Sequence, residues 1–142
     1  MIVHHQQAIE MSATVRERGE NAAVDALATR IEEAQAPEVK LMRGWLASWD
    51  VKESSGMAGH GGGANDETMM SEDEMNRLEA ATGSDLDRLF LEMMIRHHEG
   101  AISMAETELE DGEFPAAKDL AEKIIAAQRA EIAEMRQLLE EI

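Results

Sequence analysis

Met1-Ile-Val-His-His-Gln-Gln-Ala-Ile-Glu-Met11 returns 93 residues later as Met94-Ile-Arg-His-His-Glu-Gly-Ala-Ile-Ser-Met104, and this recurrence decides the fold. Extending the comparison outward aligns residues 1–46 with 94–139 without a gap, and twenty-one of the 46 pairs are identical. They include His4/His97, His5/His98, Gly19/Gly112, Gln35/Gln128, Glu38/Glu131 and Met42/Met135. Identity at that density marks an internal repeat, and a repeated unit normally buries its apolar face against its own copy.

Each copy reads as helix, glycine turn, helix. Gly19 and Gly112 stop the first helix. Asn21 suits the N-cap of the second helix in copy one, and Pro115 suits its first position in copy two. Pro37 interrupts the second helix of copy one, where a kink is expected rather than a break. Between the copies, residues 54–66 are rich in Gly and Ser and read as a flexible surface loop. Ser71 and Glu74 form a capping box for a short helix, and Ser84 to Asp87 open the long helix that carries Met94. The expected architecture is all-α: a single domain over 1–142 in which hairpin one (1–50) and hairpin two (84–142) are joined by a crossover (51–83) into a ferritin-like four-helix bundle. Copy two has two helical turns before the shared block and copy one has none. The natural gene product is therefore expected to continue upstream through a helical segment and an export signal.

Composition agrees with helices. Aromatic residues are 3% of the 142 and Tyr is absent, which favours aliphatic helix packing over sheet. Thirty acidic against thirteen basic residues give a formal charge of −17, a surface that repels nucleic acid and anionic membranes. No apolar run approaches the roughly 20 residues of a membrane span. With no Cys, soft-metal chemistry falls to the eleven Met.

The histidines point inward. At 100° per residue with His97 at 0°, the apolar side chains of its helix span roughly −40° to 160°, and His97, His98 and Met94 all fall inside that arc. His4, His5 and Met1 repeat the arrangement, with Met11 and Met104 further along the same faces. On the second helices Gln35, Glu38, Gln128 and Glu131 interrupt the apolar stripe, so they are natural acceptors for imidazole N–H groups or, less directly, ligands. A lone core histidine is usually a packing residue. Four of them at duplicated positions beside Met point to a metal or proton role. Imidazole with thioether suits copper, Cu(I) especially, with zinc or iron as alternatives. A second candidate site is the Met57, His60, Met69 and Met70 tract, whose Met could wrap an ion or simply pack. Trp45 and Trp49, one turn apart, read as bundle packing.

With these residues in place, the chain resembles the bacterial domain-of-unknown-function 305 family, whose hallmark Met-Ile-x-His-His-x-x-Ala-Ile-x-Met stands at both Met1–Met11 and Met94–Met104. The resemblance extends to the Met-Met-Ser segment at 69–71 and the Phe90-Leu-Glu-Met-Met run. It implies a ferritin-like bundle exported to the cell envelope or medium, with copper binding in some members. The leading expectation is a copper-binding protein that sequesters the metal or hands it on, with His4, His5, His97 and His98 as principal ligands and Met1, Met11, Met94 and Met104 beside them. No turnover is required for that role. A di-metal oxidoreductase is the runner-up, although the Glu-x-x-His signature is missing from the relevant stripes. A non-catalytic interaction module with pH-sensing histidines is the third. The expected partner is a metal ion, with a second copy of the chain as a further candidate.

Overall fold

The computed structural model describes residues 1–53 and 68–142, and Met57 and His60 of the crossover lie outside them. Among the described residues the chain forms five helices and no strand: α1 (Ile2–Arg18), α2 (Ala22–Ser48), α3 (Glu72–Ala80), α4 (Gly83–Asp111) and α5 (Pro115–Glu141). The main packing is α1 on α2, α4 on α5, and α1 across α4, while α2 and α5 barely meet. Among the described residues no helix is long and apolar enough to cross a membrane.

The boundaries follow local chemistry. The Asn21 side chain accepts from the backbone N–H of Ala23 (2.9 Å) and Val24 (3.2 Å), satisfying two donors that the first turn of α2 leaves open. Ser71 and Glu74 close their capping box in both directions, at 3.2 and 2.8 Å. Pro115 occupies the first turn of α5. α2 runs through Pro37 unbroken. α4 starts slightly earlier than Ser84, at Gly83, whose φ of 62° is the left-handed geometry glycine tolerates.

Gly19 and Gly112 end α1 and α4 as expected, but for a different reason. Both have extended φ, −73° and −69°, which any residue can adopt. Crowding explains Gly19: a Cβ there would lie 2.4 Å from Asp87 Oδ1 and 2.6 Å from the Val15 carbonyl. That proximity is structural, because the buried Asp87 carboxylate of α4 accepts the N–H groups of Glu20 (3.0 Å) and Asn21 (2.9 Å) and so ties the α1–α2 turn to α4.

The core joins Met11, Val15, Leu27 and Ile31 of the first two helices to Leu86, Phe90, Leu91, Met94 and Met135 of the last two, with Leu78 of α3 closing one side. Each such side chain fully removed from water contributes about 2 kcal/mol. Among the described residues nine polar or charged ones are buried alongside them, including all four repeat histidines. A group this polar inside an aliphatic core costs stability unless it is paired.

Candidate metal centre

Helical spacing brings the four imidazoles inside from two helices. His4 and His5 of α1, and His97 and His98 of α4, are each no more than 2% exposed. α1 crosses α4 at this point, and the rings of His4 and His97 stack with centroids 3.6 Å apart and an interplanar angle of 27°.

The neighbours of that stack form two matching pairs. His5 Nε2 lies 2.7 Å from Glu38 Oε2, and His98 Nε2 lies 2.6 Å from Glu131 Oε2. Both pairs have the same 33-residue separation, and the repeat offset carries one onto the other. A carboxylate only accepts, so in each pair Nε2 carries a hydrogen and donates it, which turns Nδ1 away from the carboxylate. His4 is fixed in the same tautomer, since its Nε2 donates to the Thr68 carbonyl at 3.0 Å. Among the described residues, Nδ1 of all three rings is buried without a hydrogen-bond partner, and in His97 both nitrogens are.

Burial also sets protonation. Loss of solvent holds His4 down at about 3, the Thr68 hydrogen bond offsetting part of that effect, and holds His97 down at about 2, with repulsion from His4 adding to it. Both rings are therefore neutral at physiological pH and present lone pairs with no proton to displace. Leaving a buried polar atom unpaired costs about 1–3 kcal/mol, so five such nitrogens gathered in one core are a specific feature rather than a packing detail.

The other sequence-predicted residues divide. Glu38 and Glu131 are half-buried and pair with imidazole, as the stripe suggested. Gln35 and Gln128 are buried but do not reach the rings; both Gln35 side-chain polar atoms and Gln128 Oε1 have no partner. Met11 and Met94 are fully buried in the core, whereas Met1 and Met104 line a cavity of about 720 Å³ near the turn into α5. Trp45 and Trp49 pack edge-on against Phe114 at 5.3 and 4.9 Å, so they join the end of α2 to that turn. Met69 is half-buried. Met70 is core: Gln7 grips its backbone N–H and C=O with two 2.8 Å bonds, and its sulfur accepts from Arg96 at 2.9 Å.

Sequence reasoning missed the grip on residues 68–70. Position 7 of the first copy supplies Gln7, while its counterpart in the second is Gly100, where a Cβ would lie 2.6 Å from Thr68 Cβ. One copy bonds the segment and the other makes room for it. The exchange of an amide side chain for glycine at that repeat pair was the available signal.

Among the described residues no three His, Cys, Asp or Glu side chains are arranged to hold one ion. The open donors are imidazole nitrogens, with thioethers of Met1 and Met94 one helical turn from the paired histidines. Such a set fits a soft ion of low coordination number better than four-coordinate zinc or a carboxylate-bridged iron pair.

No curated protein matches the chain. Solved structures do. A DUF305 protein from Streptomyces coelicolor, to which secretion is ascribed, is 35% identical with a TM-score of 0.90, over 99% of this chain and 88% of that one. A DUF305 fragment from Deinococcus radiodurans is 31% identical with a TM-score of 0.85, over 100% and 91%. CopM in its Cu(II)-bound form is 31% identical with a TM-score of 0.83, over 99% and 91%, and CopM structures also exist in Cu(I)-bound, Ag-bound and apo forms. The model of the domain of unknown function DUF305 matches residues 1–139. With a match that spans nearly every residue and both copies of the histidine block, the chain belongs to the DUF305 family.

Proposed function

We propose that this protein is an exported copper-binding protein that sequesters the metal or passes it on, and that the buried histidines are its ligands. One observation carries the reading: in two repeat-related places a glutamate holds a buried imidazole by Nε2 and leaves Nδ1 open, each imidazole next in sequence to a member of the neutral His4–His97 stack. A carboxylate behind a histidine is the usual support of a metal ligand, fixing ring orientation and raising basicity. His4, His5, His97 and His98 would supply the imidazole ligands, no more than two of them to one ion in the described arrangement, with Met1 and Met94 beside them, and Met11 and Met104 would lie further along the same faces. Bound copper would supply an electron-pair acceptor that satisfies the orphaned nitrogens. The copper-bound forms of CopM, 29 to 31% identical to this chain, are consistent with this chemistry.

The scaffold in this reading is one domain, two copies of a helical hairpin gathered as a ferritin-like four-helix bundle. Export rests on the secretion ascribed to the Streptomyces relative. Enzymatic turnover is not part of the proposal, because Glu38 and Glu131 are each engaged by an imidazole instead of bridging two metals. Titration of metal-free, untagged protein with Cu(I) and Cu(II) against competing chelators tests it. Tight binding that is lost in His5→Ala/His98→Ala supports the proposal, and tight binding indifferent to all four histidines overturns it.

A further inference from the structure

The repeat offset relates two trios of methionine. Met11, Met94 and Met135 of α1, α4 and α5 map onto Met104, Met1 and Met42 of α4, α1 and α2. Their fates differ. The first trio is fully buried in the core that also holds Leu86, Phe90 and Leu91. The second lines the cavity of about 720 Å³, together with Trp45, Trp49 and Phe114. Equivalent positions are thus sealed at one end and reachable at the other.

The cavity has the character of a cation port. Among the described residues Glu53, Glu108 and Glu113 line it and no Lys or Arg does; Arg43 compensates Glu53, through bonds of 2.9 and 3.2 Å. The net charge of −17 adds a long-range attraction for cations. Thioether sulfur from three helices then selects soft, monovalent ions over the hard cations that carboxylates alone would take. The trio also adjoins the histidines: Met1 precedes His5 by one turn of α1, and Met42 follows Glu38 by one turn of α2.

We propose that Met1, Met42 and Met104 form a second, outer site for Cu(I), which captures the ion from outside and passes it by ligand exchange to His5. The inference rests on the copper reading above and assigns direction to it: metal loads through the α1–α2 half, and the α4–α5 half is closed.

Silver(I), as the nitrate in halide-free buffer, is the probe. Added to metal-free protein whose methionine methyls carry 13C, it should shift the Met42 and Met104 methyl signals at sub-equimolar ratios and leave Met135 in place. In stopped flow, Cu(I) transfer from a coloured chelator should slow severalfold in Met42→Leu/Met104→Leu and stay unchanged in Met135→Leu. Stationary Met42 and Met104 methyls, or transfer to the first variant as fast as to the parent, overturn the outer site. If the histidine ring signals still respond to silver, the copper reading stands without it. If neither set responds, both fall together.

Discussion

Lowering the pH from 7 to 5 should destabilise the metal-free protein, and the stacked histidines fix both the sign and the size. In the unfolded chain His4 and His97 titrate near 6.5; in the folded protein burial holds them to about 3 and about 2. Between those values the unfolded state binds more protons, so stability is fully present above about pH 6.5 and is lost as the pH falls toward 3. Over the step from 7 to 5 each ring contributes a loss of about 2 kcal/mol, and the pair about 4 kcal/mol. That is a large fraction of the roughly 5–15 kcal/mol that holds an ordinary domain. Urea unfolding at pH 7, 6 and 5 measures it, in a window mostly above the carboxylate range. The double variant His4→Gln/His97→Gln retains His5, His98, Glu38 and Glu131, so the difference between its profile and the parent's isolates the stack. A parent whose stability is flat from pH 7 to 5, or a variant with the same slope, would refute the burial of two neutral imidazoles.

Other perturbations separate ligands from scaffold. Glu38→Ala or Glu131→Ala removes the acceptor that fixes the ring of His5 or His98 and should weaken Cu(I) binding by about 10–100-fold in chelator competition. Gln7→Ala deletes both bonds to the Met70 backbone and should cost about 2 kcal/mol in urea unfolding, with faster amide exchange at Met70. Gly100→Ala drives a methyl into Thr68 and should destabilise by about 1–3 kcal/mol, whereas Gly44→Ala, in α2 with nothing within 4 Å of the added Cβ, should stabilise by about 0.5–1 kcal/mol. The opposite signs are read from paired thermal melts.

Much of this was legible before coordinates, because helical period alone places side chains around a helix. The burial of His5 and His98, and the acids Glu38 and Glu131 facing them, follow from counting residues along α1, α2, α4 and α5. The capping box at Ser71 and the Asn21 cap were equally visible, since each needs only neighbours in sequence. The His4–His97 stack was not legible, because it depends on where α1 crosses α4, and packing rather than period sets that. Nor was the split between Met11 and Met104, identical in the repeat yet one in the core and the other in a cavity. Gly19 was visible as the end of α1, but the cause of its crowding was not: it includes Asp87, 68 positions away in sequence. Gln35 and Gln128 were assigned to the imidazoles by angle, but lie on their helices one turn away from the glutamates that reach the rings.

X-ray absorption at the copper edge of the stoichiometric Cu(I) protein addresses the coordination itself. Imidazole nitrogen should appear in the first shell together with sulfur, and His5→Ala/His98→Ala should lose nitrogen scattering. A first shell of oxygen alone, or a spectrum unchanged in that variant, would contradict the assignment of the buried histidines as ligands.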